Sequence, residues 1–109
     1  MDMEMLKKLY SLEGKVVVVT GGAQGIGKTV AEHIAAVGAD VVLFDRQGEK
    51  AEQAAEFIAG EYGRRAAAFR VDVTKPDQVA DAIRKADEKM GKLDLLFNNA
   101  GVCLHKDAL

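Results

Sequence analysis

The sequence is poor in several residue types that would indicate particular classes of protein. Among its 109 residues it has one cysteine, Cys103, one proline and no tryptophan. A single cysteine excludes both a disulfide framework and a cluster of thiolates around a metal ion. The only histidines, His33 and His105, lie far apart and carry no metal-ligand spacing. We therefore expect no metal site.

Charge and long apolar runs are also scarce. The formal net charge is −2 at pH 7, which gives no electrostatic basis for binding nucleic acid. No segment approaches the roughly 20 apolar residues of a membrane span, and residues 1–15 do not resemble a secretory signal. We therefore expect a cytoplasmic protein with neither nucleic acid nor a membrane as a partner. The 49% of apolar residues is enough for the core of a single domain.

What the sequence does contain is an alternation of strand and helix patterns. Continuous apolar runs predict four strands, at residues 15–20, 40–45, 66–73 and 94–101, the last running into a polar turn. Apolar residues at helical spacing predict three helices between them. The buried stripes of these helices are Val30, Ile34 and Val37 in the first, Ala51, Ala54, Ala55 and Ile58 in the second, and Val79, Ile83, Ala86 and Met90 in the third.

The ends of these helices also carry sequence signals. Gly38 and Gly91 are placed to end the first and third helices. Before the third helix, Thr74 is expected to be the N-cap, with Asp77 in the capping-box position. Pro76 falls in the first turn of that helix, where its missing N–H costs little.

The alternation predicts a particular sheet. Apolar strands joined by helical crossovers indicate an α/β doubly wound architecture, a parallel sheet with helices on its faces. Right-handed crossovers then give the strand order 3-2-1-4. Ligands of such sheets bind beyond the carboxyl ends of the strands, here in the crevice between strands 1 and 4. The glycine-rich turn after strand 1 and the turn "NNAG" after strand 4 are both expected there.

The glycine-rich turn is suited to a phosphate under two interpretations. Residues 22–29, "GAQGIGKT", fit the P-loop pattern G-x-x-x-x-G-K-[ST], in which Lys28 would contact phosphates and Thr29 would bind Mg²⁺. Residues 20–27, "TGGAQGIG", fit a turn that holds a dinucleotide. Both interpretations place an anion at the start of a helix, where free N–H groups and the helix dipole attract it.

The glycines have separate physical tasks in this turn. Gly21 and Gly22 permit a tight turn with unusual φ angles. Gly25 lets a phosphate approach the backbone with no Cβ in the way. Gly27 allows the helix that follows to lie close to the sheet. An ordinary connection between a strand and a helix needs fewer glycines than this, so the turn is interpreted as a binding element.

Three features favour the dinucleotide over the P-loop. Asp45 ends the second strand 18 residues after Gly27, the distance expected of an acid that hydrogen-bonds a ribose 2′-hydroxyl. Asp72 ends the third strand, where it can accept a hydrogen bond from the amino group of an adenine. The turn at 98–101 borders the cofactor in this interpretation and has no role in a P-loop.

Together these motifs resemble the N-terminal part of the short-chain dehydrogenase/reductase family. The matching segments are "LEGKVVVVTGG" at 12–22, T-G-x-x-x-G-I-G at 20–27, Asp45, "VDV" at 71–73 and "NNAG" at 98–101. The resemblance implies a Rossmann-type fold truncated to four strands, with residues 1–14 as a leader and 15–109 as a partial dinucleotide-binding domain. The cofactor-binding residues that it implies are Gly21, Gln24, Gly25, Ile26, Gly27, Asp45, Arg46, Asp72, Val73, Asn99, Ala100 and Gly101.

The charges around the expected ribose site favour NAD over NADP. A carboxylate at Asp45 accepts from a 2′-hydroxyl and repels a 2′-phosphate. NADP-preferring members of the family often have Arg or Lys just before the second motif glycine, where this sequence has the uncharged Gln24. Arg46 is an opposing feature, because its guanidinium could turn toward a 2′-phosphate. NAD is therefore the expected cofactor, with NADP as the less favoured alternative.

The residues that carry out catalysis in this family have no counterparts in the sequence. Family members use a tyrosine as general acid/base, a lysine four residues later that lowers its pKa, and a serine that orients the substrate. The only tyrosines here, Tyr10 and Tyr62, are followed at that spacing by Gly14 and Ala66, and the only serine is Ser11. No catalytic residue is therefore assigned, and the chain alone is expected to be inactive.

The resemblance implies the N-terminal half of an oxidoreductase whose full-length parent acts on a small alcohol, polyol or carbonyl compound. Two alternatives stay open: a non-catalytic fragment that binds nucleotide or self-associates, and a P-loop nucleotidase. The fourth strand would be an apolar sheet edge in this chain. A homo-oligomer or a strand-exchanged assembly is therefore expected.

Overall fold

The computed structural model describes residues 11–99, and over this range strands and helices alternate in the predicted order. The elements are β1 (Val16–Thr20), α1 (Gly25–Ala36), β2 (Asp40–Asp45), α2 (Gly48–Tyr62), β3 (Ala66–Arg70), α3 (Pro76–Met90) and β4 (Leu95–Asn98). In this part of the chain, no helix combines the length and the apolar character that crossing a membrane requires.

The described strands form one parallel sheet in the order β3-β2-β1-β4. Val17 of β1 pairs with Val41 of β2 on one side and with Leu95 of β4 on the other. On the far side of β2, Val42 pairs with Ala67 of β3. The α/β fold class and the strand order 3-2-1-4 are therefore confirmed. β1 and β2 are the interior strands, which explains why their sequences are continuous apolar runs.

Both faces of the sheet are buried, because alternate side chains of each strand point to opposite faces. Val17 and Val19 pack on the face that α1 and α2 cover, whereas Val16 and Val18 pack on the face that α3 covers. The predicted stripe of α2 is confirmed, since all its members are buried against the first face. Full burial of one valine side chain contributes about 1.5–3 kcal/mol, so these strands anchor the fold.

The apolar stripe predicted for α1 is wrong for Val37 and holds only in part for Ile34, which packs partly buried against the core. The buried residues of this helix are Gly27, Ala31 and Ala35. Val30 and Ile34 are only partly buried, and Val37, which follows the last helical residue, is 40% exposed. The sequence analysis assigned the larger apolar side chains to the buried face, whereas the structure places small residues against the sheet. Small side chains let the helix backbone approach the strands closely, which large ones would prevent.

Helix α3 agrees with its predicted stripe only in part, and its predicted N-cap is wrong. Ala86 and Met90 are buried, but Ile83 is 40% exposed. Lys75, not Thr74, occupies the N-cap position and makes no side-chain capping bond. The Thr74 hydroxyl donates instead to Asp72 Oδ1 at 2.6 Å. In a cap the hydroxyl oxygen would accept from a backbone N–H of the helix, whereas here the hydroxyl donates to a carboxylate two residues away. Thr74 therefore belongs to the turn before the helix.

The helix ends follow the predicted glycines and proline. Pro76 is the first residue of α3, and Gly91 ends it with a left-handed φ of 89°. Gly38 also has a positive φ, 112°, and lies just after the end of α1. Left-handed backbone of this kind is typical of the residue that follows a helix, and glycine adopts it without a Cβ penalty.

Strand β4 is fastened to β1 at its start and is otherwise exposed. The Val16 N–H donates to Asp94 Oδ2 at 2.8 Å, and the Asp94 N–H donates to the Val16 carbonyl at 2.9 Å. The N–H bond from Val16 and the nearby Lys92 ammonium hold the pKa of Asp94 below its usual value. Beyond this junction, Leu95 and Phe97 are 52% and 40% exposed. Among the described residues, β4 has a sheet partner on one side only.

Candidate functional site at the carboxyl ends of the strands

The glycine turn connects β1 to α1 at the carboxyl edge of the sheet. Gly21 and Gly25 have left-handed φ angles of 67° and 61°, which disfavour any residue with a Cβ. A Cβ on Gly27 would overlap the Gly21 carbonyl oxygen and approach Asn99 Nδ2. Gly22 differs from its prediction, because its φ is not positive. The lack of a side chain at Gly22 instead leaves room for Leu43, since a Cβ there would lie 2.7 Å from Leu43 Cδ2.

The N-terminus of α1 is open toward the space above this turn. Gln24 occupies the N-cap position without making a side-chain cap, and no acidic residue lies in the first turn of the helix. Gly25 and Ile26 are exposed. The first N–H groups of a helix lack partners within the helix, and the dipole makes this end positive. The arrangement therefore fits an anionic group of a ligand.

The carboxylate of Asp45 joins the end of β2 to the glycine turn. Its Oδ2 accepts a hydrogen bond from the Ala23 N–H at 3.0 Å, and its Oδ1 accepts one from the Gln47 N–H at 2.8 Å. Next to it, the Gly21 N–H donates to the Phe44 carbonyl at 2.7 Å. The acid that the sequence assigns to a ribose thus lies directly beside the glycine turn.

Asp72 lies at the same rim, just after β3. Its Oδ1 accepts from both the hydroxyl and the N–H of Thr74, at 2.6 and 3.0 Å. These two bonds, the one from the hydroxyl above all, hold the pKa of Asp72 below its usual value, so the carboxylate is ionised at neutral pH. The Asp72 N–H in turn donates to Gln78 Oε1 at 2.9 Å, which links this turn to α3.

A cleft of about 770 Å³ lies beyond the ends of β2 and β3. Its lining residues are Asp45, Arg46, Gln47, Arg70, Asp72, Lys75 and Gln78. Acidic hydrogen-bond acceptors and cationic donors therefore face one space, next to the glycine turn. Val73 is not part of this lining and packs, partly buried, against the apolar cluster under α3.

The sequence placed the ligand crevice between β1 and β4, and the structure brings the two predicted turns together there. The Thr20 hydroxyl donates to Asn98 Oδ1 at 2.9 Å and accepts from the Asn99 N–H at 2.9 Å. Ala100 and Gly101, which complete the predicted set, lie outside the described residues. Sequence reasoning missed the role of Thr20, although a polar residue that closes a run of valines is a visible signal.

The residues that a P-loop would use have other partners. Lys28 Nζ lies 5.7 Å from the centre of the Phe57 ring of α2, within the range of a cation–π contact. The Thr29 hydroxyl donates to the Gly25 carbonyl at 3.2 Å, one turn back along α1. Lys50 Nζ, from α2, donates to Gln24 Oε1 at 3.1 Å. These contacts favour the dinucleotide interpretation, in which neither Lys28 nor Thr29 has a catalytic role.

Comparison with protein families matches residues 15–108 to the family described as short chain dehydrogenase. A short-chain dehydrogenase reductase of Arabidopsis thaliana is 46% identical over 91 residues, which are 84% of this chain and 34% of that protein. A sorbose reductase of Candida albicans is 40% identical over 94 residues, covering 86% of this chain and 33% of the relative. The chain thus spans about a third of the length of these relatives.

Solved structures show the same fold. The L-sorbose reductase of Gluconobacter frateurii, complexed with NADPH and L-sorbose, superposes with a TM-score of 0.80 at 37% identity, covering 84% of this chain and 35% of that one. An NAD⁺-bound xylitol dehydrogenase superposes with a TM-score of 0.77 at 36% identity, covering 83% and 34%. The first of these proteins holds NADPH and the second NAD⁺.

Proposed function

Because the chain belongs to the short-chain dehydrogenase family, we propose that it binds the adenosine and pyrophosphate portion of NAD within an NAD(P)-dependent oxidoreductase. The observation that carries this proposal is the junction of Asp45 with the glycine turn. In it, a carboxylate suited to ribose hydroxyls is one hydrogen bond from Ala23, in the turn that leads into a helix N-terminus suited to phosphate. The cleft beside this junction offers space for an adenosine.

Each part of the site would hold a different part of the dinucleotide. The N–H groups at the start of α1 would bind the pyrophosphate, where Gly25 and Gly27 leave the backbone accessible. Asp45 would accept from the ribose hydroxyls, and Asp72 from the adenine amino group. Arg46, Gln24 and Ile26 would border the bound nucleotide, as would Asn99 with Ala100 and Gly101. When bound, the nicotinamide ring supplies the site that accepts or donates a hydride.

NAD is proposed as the preferred cofactor. The carboxylate of Asp45 would face a 2′-phosphate and repel it, whereas it would accept from a 2′-hydroxyl. Arg46, which also lines the cleft, would offset part of that repulsion. The preference for NAD is therefore expected to be moderate. The relatives include an L-sorbose reductase complexed with NADPH, a probable NADP-dependent mannitol dehydrogenase and an NAD⁺-bound xylitol dehydrogenase.

The substrate of the whole enzyme is proposed to be a small alcohol, a polyol or the matching carbonyl compound. A sorbose reductase, a probable NADP-dependent mannitol dehydrogenase and a xylitol dehydrogenase among the relatives support this class. The described residues contain no Tyr-x-x-x-Lys and a single serine, Ser11. Turnover is therefore proposed to need polypeptide beyond the 109 residues of this chain.

We further propose that residues 15–109 form a partial dinucleotide-binding domain and that residues 1–14 are a leader. A cytoplasmic location is proposed for the protein. The half-exposed β4 supports self-association of this chain, by pairing of edges or by exchange of strands. A segment that binds nucleotide without catalysing a reaction is the second candidate function, favoured by the missing Tyr-x-x-x-Lys.

A calorimetric titration of the 109-residue chain tests the proposed function. NAD is expected to bind more tightly than NADP, and ADP to reproduce most of the affinity of NAD, since the site holds the adenosine end. ATP with Mg²⁺ is expected to gain nothing from the metal. Tighter binding of ATP with Mg²⁺ than of NAD, abolished by Lys28→Ala, would instead establish the P-loop alternative.

A further inference from the structure

Two hydrogen bonds attach the glycine turn to the end of β2, and one of them uses a side chain. The Gly21 N–H bonds to the Phe44 carbonyl at 2.7 Å, which is an extension of the sheet ladder. The Ala23 N–H bonds to Asp45 Oδ2 at 3.0 Å across a separation of 22 residues, in a partly buried position. The side chain of Asp45 is thus the only described side chain seen to accept a hydrogen bond from the backbone of residues 21–25.

This attachment adds a polar restraint to a turn that is otherwise held by packing, with Ala23 buried in the core and Gly22 against Leu43. Glycine loses more conformational freedom on folding than any other residue, and Gly21, Gly22 and Gly25 fall within five consecutive positions. The N-cap residue Gln24 makes no side-chain bond to the helix that it begins. A hydrogen bond to a carboxylate is in general stronger than one between neutral groups. The bond from Ala23 is therefore expected to contribute to the order of the turn alongside the shorter backbone bond from Gly21.

The second oxygen of the same carboxylate extends the effect to α2. Asp45 Oδ1 accepts from the Gln47 N–H at 2.8 Å, one residue before α2 begins. The carboxylate is therefore fixed at both oxygens, so its position is determined by the backbone of two loops. A bound ribose would contact lone pairs that these two bonds leave open, since each carboxylate oxygen can accept more than one bond.

We propose that Asp45 is a positioning residue for the pyrophosphate, acting through the Ala23 N–H, in addition to any contact with the ribose. This positioning role rests on the proposed function. It means that Asp45 also affects the binding of ligands that have no ribose hydroxyls. Its carboxylate holds the turn in the shape that leaves the N-terminus of α1 open to an anion. The negative charge alone would act in the opposite direction and weaken the binding of an anion.

The test uses two ligands that Asp45 cannot recognise through a ribose. These are inorganic pyrophosphate and 2′,3′-dideoxyadenosine 5′-diphosphate, titrated into wild type and Asp45→Ala. The substitution is expected to weaken binding of both ligands about tenfold, the loss of one charge-assisted hydrogen bond. Asp45→Asn keeps one oxygen that can accept from the Ala23 N–H. Its affinity for both ligands is therefore expected to lie between that of wild type and that of Asp45→Ala. Equal or tighter binding by Asp45→Ala would overturn the proposal.

A matched control separates position from charge. Glu49 lies on the first turn of α2 and is exposed near the same rim, and Glu49→Ala removes the same charge without altering the turn. It is expected to leave affinity for pyrophosphate unchanged or slightly increased. A loss equal to that of Asp45→Ala would contradict a positional role.

Hydrogen exchange of the Ala23 amide gives a readout that needs no ligand. In wild type this amide is expected to be protected, and in Asp45→Ala its exchange is expected to accelerate about tenfold, while the Val18 amide in β1 stays protected. Loss of protection at Val18 as well would show unfolding and overturn the interpretation. If wild type binds neither ligand, the proposed function fails, and the exchange rates still show whether Asp45 orders the turn.

Discussion

Gly27 shows how a single position can fix the geometry of a site. It belongs to α1, yet a side chain there would meet the Gly21 carbonyl, in the preceding turn, and the side chain of Asn99, at the end of the described chain. A side chain at this position would push apart the helix, the turn and the residue that follows β4. The sequence motif predicts a glycine here for close packing, and the structure identifies the backbone atom that requires it.

Gly27→Ala is predicted to destabilise the fold, whereas Gly60→Ala is predicted to stabilise it. The first adds a methyl group to a filled space and should lower the free energy of unfolding by about 1–3 kcal/mol. The second, in α2, adds a methyl group where no heavy atom lies within 4 Å. It should raise that free energy by about 0.4–1 kcal/mol. Urea unfolding of both variants checks the opposite signs, and similar effects would contradict the packing of Gly27.

Asp94 is predicted to make the stability of the β1–β4 junction depend on pH. Its folded-state pKa is lowered from 3.8 by the Val16 N–H and by Lys92. The carboxylate therefore contributes stability above its unfolded pKa, and this contribution is lost as pH falls through the lower folded value. Asp94→Asn should be less stable than wild type at pH 7, and the difference should shrink below pH 3.8. Urea midpoints at both pH values test this, and a constant difference would argue against it.

At the scale of elements, the sequence predicted the order of the strands better than it predicted which face of each helix is buried. The strand order follows from chirality and from which runs are continuously apolar, so four strands were enough to define it. The buried face of α1 depends on how closely the helix approaches the sheet, which Ala31 and Ala35 permit. No periodicity in the sequence distinguishes that arrangement from one that buries Val37.

The predictability of the candidate site has a similar limit. Asp45 and the glycines can be proposed from the sequence because their spacing is typical of one chemical task, and the structure brings them together at one edge of the sheet. The bond from Ala23 to Asp45 was not predictable, because it depends on the turn folding back over the end of β2. The hydrogen bond that the Thr74 hydroxyl donates to Asp72 was likewise not predicted, since the sequence assigned each residue to a separate motif.

The exposed strand β4 is predicted to drive association of the isolated chain. Leu96 is 42% exposed, and a lysine there should disfavour pairing with another edge. Leu96→Lys is therefore expected to shift the chain toward monomer in light scattering. Val37→Lys changes a side chain of similar exposure, 40%, away from this edge, and should leave association unchanged. A wild-type monomer at high concentration would contradict this prediction.

At the scale of the whole molecule, the chain is predicted to bind cofactor without turning over substrate. It spans about a third of its relatives and has no Tyr-x-x-x-Lys. With NAD and xylitol, no NADH absorbance is expected to appear. Addition of the remaining two thirds of a relative, which supplies the serine, tyrosine and lysine, should restore some reduction of NAD if the two pieces assemble. Reduction of NAD by the chain alone would contradict the prediction that it is inactive by itself.

The bridging hydroxyl of Thr20 has a consequence for the time course of folding. It joins residues that are 78 and 79 positions apart in the chain, at the centre of the candidate site. Contacts of such long range form late and slowly, because the entropy of closing a large loop is lost before they are gained. During synthesis β1 is the first of the four described strands to leave the ribosome, and its second neighbour in the sheet, β4, is the last of them. The site should therefore stay incomplete until nearly all of the described chain has been made.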